Sequence, residues 1–186
     1  MVDEKKVNQV VDSGKGDSQP ATDPGPDGPD PTPGWELPFL LFAGFRSLID
    51  RLHTELATQG HPDARPAYGF AMQAIGASGP AGATAGEVGR RLGISKQAAG
   101  KTVDRLITLG YATTAPDPAD ARRKLLRLTP HGLDALTRSA AIFETLRAEW
   151  SEAVGPERVR DLESALRTLV PPSDRFRLDT AGWLGG

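Results

Sequence analysis

The chain has 186 residues, 38% of them hydrophobic, enough for one folded domain with a sizeable core. Its formal net charge of -2 excludes nothing until charge is located along the chain, whereas the count of zero cysteines removes disulfides, thiolate metal sites and thiol redox sensing and is the usage expected in the cytoplasm. No apolar run approaches the roughly 20 residues that cross a bilayer, and the polar N-terminus is unlike a signal peptide, so neither a membrane nor export is expected.

From Met1 to Pro33 the residues are Asp, Gly, Pro, Ser and Lys with almost nothing apolar, and seven acids stand against three lysines. Such a segment cannot bury enough surface to offset its ordering entropy and is expected to be a disordered acidic tail. The next stretch, "WELPFLLFAGFRSLIDRLHTELATQG", repeats apolar residues at three- and four-residue steps and predicts an amphipathic helix closed by Gly60. A second helix is expected over "ARPAYGFAMQAIGAS", where Tyr68, Phe70 and Met72 beside Arg65 are read as packing in preference to a pocket for an aromatic anion. "GASGPAGATAG" is glycine-rich but lacks the Lys-Ser/Thr ending of a phosphate loop, and is read as a connector.

In "TAGEVGRRLGIS", Thr84 and Glu87 form a candidate capping box and Gly93 a stop. Ser95 then caps "KQAAGKTVDRLITLGY", whose apolar face is Ala99, Val103, Leu106 and Ile107. Tyr111–Ala115 and Lys124–Leu128 read as two strands joined by a long charged tip built on "PDPAD". Two more helices should begin at Pro130 and Pro156, since proline is welcome at the first helical position. The fold expected is mainly α with one small antiparallel β-hairpin.

The order of helix, short turn, helix and basic hairpin is that of a winged helix-turn-helix, whose second helix enters the major groove of DNA with its N-terminal residues. With the apolar face buried, that helix presents Ser95, Lys96, Gln97, Gly100 and Lys101 near its N-terminus, and Asp104 and Arg105 beyond. Gln97 has the geometry to pair with adenine and Lys96 to reach guanine, Gly100 permits close approach, and Lys101 suits a phosphate. From Thr84 to Gly132 nine cations face four acids, a net of plus five in an acidic protein, and Arg122, Arg123 and Lys124 are part of it. That is the electrostatic footprint of a nucleic-acid face.

"ISKQAAGKTVDRLITLGYA" followed by "DPADARRKLLRLTPHGLDAL" resembles the multiple-antibiotic-resistance regulator (MarR) family of winged-helix transcription factors. The sharpest elements are Asp-x-Arg and, at fixed distance, Leu-Thr-x-x-Gly, matched by Asp120, Arg122, Leu128, Thr129 and Gly132. The resemblance spans roughly Leu37 to Val170, with Gly89 in place of a usual alanine and the acidic tail as departures. It implies a homodimer with interleaved terminal helices, two lobes reading a palindromic operator, and an effector pocket between lobe and dimer interface. It also implies a minor-groove role for Arg122, with Asp120 holding it. On that basis the chain divides into a tail over 1–34, a winged-helix domain over 35–172 with its DNA-binding lobe at 62–132, and a C-terminal tail over 173–186. Residues 35–60 and 133–172 would be the dimerisation helices. The first offers Leu41, Phe45, Leu48 and Leu52 to a partner, and the fifth Phe143, Leu146 and Trp150.

No catalytic constellation is present, and His53, His61 and His131 lack paired spacing on one helix, so no enzyme activity, metal or other cofactor is expected. The function expected is a sequence-specific regulator, acting as a repressor by steric blockage and relieved by a small aromatic or anionic effector. The alternative is a winged-helix module that binds protein instead of DNA.

Overall fold

The computed structural model describes residues 32–170, without the side chain of Ala121. Most of the acidic tail and all of the expected C-terminal tail lie outside the described residues. Six helices and one hairpin follow in the order α1 (Glu36–Thr58), α2 (Pro66–Gly76), a short 3-10 turn (Gly79–Ala81), α3 (Ala85–Leu92), α4 (Lys96–Thr108), β1 (Ala112–Asp117), β2 (Asp120–Leu128), α5 (Pro130–Val154) and α6 (Pro156–Leu169). The architecture is a mainly helical winged helix with a two-stranded antiparallel sheet.

Local signals place most boundaries. The Thr84 side chain accepts from Glu87 N–H while the Glu87 carboxylate accepts from Thr84 N–H, a complete capping box on α3. Gly93 ends α3 in the left-handed conformation at φ 68°, and Ser95 Oγ accepts from Ala98 N–H at 3.1 Å to start α4. At the start of α5, Thr129 Oγ1 accepts from Gly132 N–H and donates to Gly110 O at 2.5 Å. A Cβ on Gly132 would stand 2.1 Å from Tyr111 O, so this helix start presses directly on the backbone that enters β1. That gives the Leu-Thr-x-x-Gly spacing a physical reason.

Two apolar clusters divide the described chain. One fills the winged lobe with Ile75, Val88, Leu92, Leu106, Tyr111 and Leu126, and takes Ala135 from the second turn of α5. Met72 belongs to it and Tyr68 and Phe70 pack against it. The other joins Leu52, Leu56 and Ala64 to Ile142 and Leu146, so the C-terminal half of α1 lies on the middle of α5. Arg51 and Glu149 clamp the same face with a bidentate ion pair.

This second cluster covers part of the expected dimer seam from within the chain. Leu52 and Leu146 are 6% and 2% exposed within a single chain, and Leu48 and Phe143 pack against them. Trp150 lies half-buried beside Gly44. Leu41 and Phe45 remain exposed, together with Leu40 and Phe42. Helical periodicity identifies an apolar face but not which part of it the chain's own later helix will cover.

Candidate nucleic-acid interface

The close crossing of α3 and α4 sets the interface. A Cβ on Gly89 would lie 3.1 Å from Ile94 O and 3.2 Å from the Ala99 Cβ, so this glycine lets α4 settle nearer to α3 than an alanine permits without a shift. Ala99, Val103 and Leu106 are buried by that crossing. Lys96, Gln97 and Lys101 are thereby left exposed over the first turns of α4, with Gly100 half-buried at their flank. A Cβ on Gly100 would meet nothing within 4 Å, so no internal packing requires a glycine there. The partial positive charge of the helix N-terminus adds to that of the two lysines.

Two expected members of this face are held by the protein itself. The Ser95 hydroxyl is engaged as the cap of α4, where it accepts from Ala98 N–H. Arg105 lies in the last turn of α4 and faces Asp63 Oδ1 at 3.9 Å. It sits apart from the N-terminal cluster because nine residues carry the helix two and a half turns along its axis.

The wing differs from the expected long loop. β1 runs to Asp117 and β2 begins at Asp120, so the turn itself is only Pro118 and Ala119. Asp117 Oδ1 accepts from Ala119 N–H at 2.9 Å, and proline presets the first turn position, which is why the hairpin closes so tightly. Pairing then becomes irregular: Pro116 faces Lys124 and Asp117 faces Asp120, leaving Ala121, Arg122 and Arg123 as an unmatched excursion of β2. Asp120 Oδ1 accepts from Arg122 N–H at 3.0 Å, so this carboxylate fixes the Arg122 backbone, not its guanidinium. Arg123 Nε instead faces Asp117 Oδ2 at 3.6 Å, an ion pair at the surface of the wing. Arg122 and Lys124 are exposed and form no ion pair among the described residues.

The connector before α3 does more than connect. Ala83 is fully buried and exchanges two backbone hydrogen bonds with Leu126, at 3.0 and 2.7 Å, which tie the root of the wing to the start of α3. An isolated bridge of this kind has no alternating pattern by which a sequence could announce it. Nearby, the Glu87 carboxyl is held below the usual carboxylate range chiefly by the Thr84 N–H, then by the Thr84 hydroxyl, with the fields of Arg123 and Arg90 adding to it.

Behind α3 lies an open cavity of about 990 Å³, walled by Phe70, Ala74, Leu133 and Leu136 and edged by Arg90 and Arg91. Arg91 is committed, donating to Ala74 O and to Ser78 Oγ, whereas Arg90 is exposed near Glu87. Among the described residues no group of three His, Asp or Glu side chains could hold a metal ion, and no helix is long and apolar enough to cross a membrane.

Residues 66–123, from α2 to the excursion of the wing, match the MarR-family model. No curated protein matches the chain in sequence. Among solved structures, the reduced form of MarR from E. coli is 22% identical with a TM-score of 0.61, covering 77% of this chain and 100% of its own. A mutant MarR from E. coli complexed with operator DNA is 23% identical with a TM-score of 0.59, covering 73% and 94%. CouR from Rhodococcus jostii RHA1 bound to p-coumaroyl-CoA is 19% identical with a TM-score of 0.55, covering 74% and 93%. The family match falls on the helix-turn-helix and wing, and the described chain shares its winged-helix fold with solved MarR structures.

Proposed function

We propose that the chain is a homodimeric, sequence-specific DNA-binding transcriptional regulator of the cytoplasm that represses by occupying a palindromic operator. The observation that carries this reading is the exposed set Lys96, Gln97 and Lys101 at the N-terminal end of α4, beside a wing that presents Arg122 and Lys124. Lysines suit phosphates and a planar amide suits a base edge, so the face combines positioning with readout. The likeness to a mutant MarR solved with operator DNA supports the same assignment. Its chemistry is binding, not turnover.

The dimer is supported by Leu40, Leu41, Phe42 and Phe45, which stand 43–58% exposed on one end of α1. Each is already about half covered, so burying the rest against a second copy is worth about 1 kcal/mol per side chain. An effector is supported by the cavity behind α3, whose apolar walls and Arg90 rim suit an aromatic or acyl body with an anionic group. CouR, solved with p-coumaroyl-CoA, offers a parallel of that chemistry.

Fluorescence anisotropy with duplexes selected from the promoter regions of the source genome tests the reading. A preferred duplex bound in the nanomolar range, with affinity falling steeply as salt rises, is the expected result. Equal and negligible binding to every duplex at low salt would favour the protein-binding alternative.

A further inference from the structure

The segment joining α1 to α2 touches both halves of the fold, and His61 is its centre. This side chain is 1% exposed. Its Nε2 lies 2.9 Å from Asp134 Oδ2, near the start of α5. Arg138 Nε sits 2.7 Å from the same oxygen, and Arg138 Nη1 donates to Gln59 Oε1 at 3.2 Å, so the Asp134 carboxylate already has a permanent cation for partner. The His61 ring is 4.5 Å from that of His131 and 5.7 Å from that of Tyr111, which themselves stack at 4.6 Å. Two residues further, Asp63 faces Arg105 of α4, and Arg65 turns back to Ala64 O. The groups around His61 are therefore Asp134, Arg138 and His131 from α5, Tyr111 from the entry to β1, Gln59 from the end of α1, and Asp63 with Arg105.

The other ring nitrogen, Nδ1, is buried without a hydrogen-bond partner. With Nε2–H donating to Asp134, Nδ1 is a bare lone pair, and a proton taken up by His61 has only that position to occupy. It would create a charged ring with an N–H that finds no acceptor, against a second imidazole, while the carboxylate oxygen at Nε2 is shared with Arg138. Turning the ring out to water relieves the unpaired N–H and the imidazole contact, and it gives up the Asp134 bond and the ring stacking together.

We propose that His61 is a proton-sensitive joint: uptake of a proton at Nδ1 expels the ring from its seat and releases the segment between α1 and α2 from the start of α5 and the entry to β1. An imidazole is the side chain suited to such a joint, because it alone among neutral side chains takes up a proton under mild acid. Its effect on operator binding rests on the DNA-binding reading, whereas the opening itself does not. A proton excluded from the DNA-competent state lowers affinity by up to about tenfold per pH unit on the acid side. The general electrostatic effect has the opposite sign, because protonated histidines attract DNA.

Amide hydrogen exchange on the full chain at about pH 8 and about pH 5.5, corrected for intrinsic rates, reads the joint directly. The His61 and Ala64 N–H groups donate to Leu56 O and His61 O in the closed state, and both should exchange on the order of tenfold faster at the lower pH. Operator anisotropy at constant salt should weaken in parallel. His61→Gln offers a donor to Asp134 but takes up no proton, and should remove both responses. Equal protection of the two amides at both pH values overturns the proposal, as does a His61→Gln protein that keeps the full acid response. If the variant does not fold, the exchange of the parent chain decides alone. If no duplex binds at any pH, the DNA reading fails while the exchange still settles the joint.

Discussion

The first turns of α4 and the tip of the wing carry cations in similar number but present them differently. On α4, Lys96 and Lys101 point away from the protein and find no acid partner among the described residues. On the wing, Asp117 and Asp120 are spent on the turn, Arg123 is drawn to Asp117, and Arg122 and Lys124 remain. The net of plus five counted over Thr84–Gly132 therefore overstates the charge offered to DNA. A helix displays cations by default because its side chains radiate, whereas a hairpin with acids at its turn must sort them. The wing's excursion of β2 uses its acids to fix backbone and one arginine so that a neighbouring arginine is free.

The contrast is most easily disturbed at its shared root. Gly132→Ala forces a Cβ against Tyr111 O and should destabilise the chain by about 3 kcal/mol or more in urea unfolding, disturbing wing and helix together. The wing alone is dissected by comparing its two arginines. Arg122→Ala should cost about 1–3 kcal/mol of operator affinity and lower the salt slope by about one. Arg123→Ala should change the slope by well under one, because Asp117 already occupies that charge. Equal slopes for the two variants would show that the Asp117 pair does not restrain Arg123 in solution.

Acid should separate the halves of the fold. The Asp134 carboxyl is lowered by Arg138 and then His61, Glu149 by Arg51, and Glu163 by Arg147, all on α5 or α6. Groups lowered in this way lend stability that is complete above the ordinary carboxylate range of about 4 and is lost as pH falls through their depressed values. These groups are solvent-exposed, so the effect is modest. Circular dichroism and exchange below about pH 4 should show α1 and α6 loosening before the lobe, whose core rests on apolar packing. The smallest effect belongs to Gly100→Ala, which fills open space in a helix interior and should raise stability by about 0.5–1 kcal/mol. If DNA approaches that flank closely, affinity falls while the melting temperature rises.

Much of the fold is legible in residues that act locally. Thr84 with Glu87, Gly93, Ser95, Pro130 and Pro156 each mark a helix end by capping or fixed φ, and each stands where the helices begin or stop. What escapes is non-local. The bridge from Ala83 to Leu126, the seat of His61 beside Asp134, and the burial of Leu52 and Leu146 by one another's helices join residues far apart in sequence, and no periodicity reports them. At the site, the residue types on α4 are readable, but the pairing of Arg123 with Asp117 and of Arg105 with Asp63 is not, because a charge count carries no partners. The Asp-Pro pair at 117–118 is the one available sign of a tight turn in place of a long tip.

That the exposed N-terminal face of α4 holds DNA can be checked through the salt dependence of a single double variant. Lys96→Ala combined with Lys101→Ala touches no core residue and should leave the fold intact. Measured by anisotropy against the preferred duplex from low to moderate salt, it should bind more weakly and show a slope of log affinity on log salt shallower by about two, one for each phosphate no longer neutralised by a lysine. An unchanged slope and affinity in a folded variant would place DNA elsewhere on the molecule, or nowhere, and the assignment of α4 as the reading helix would fall.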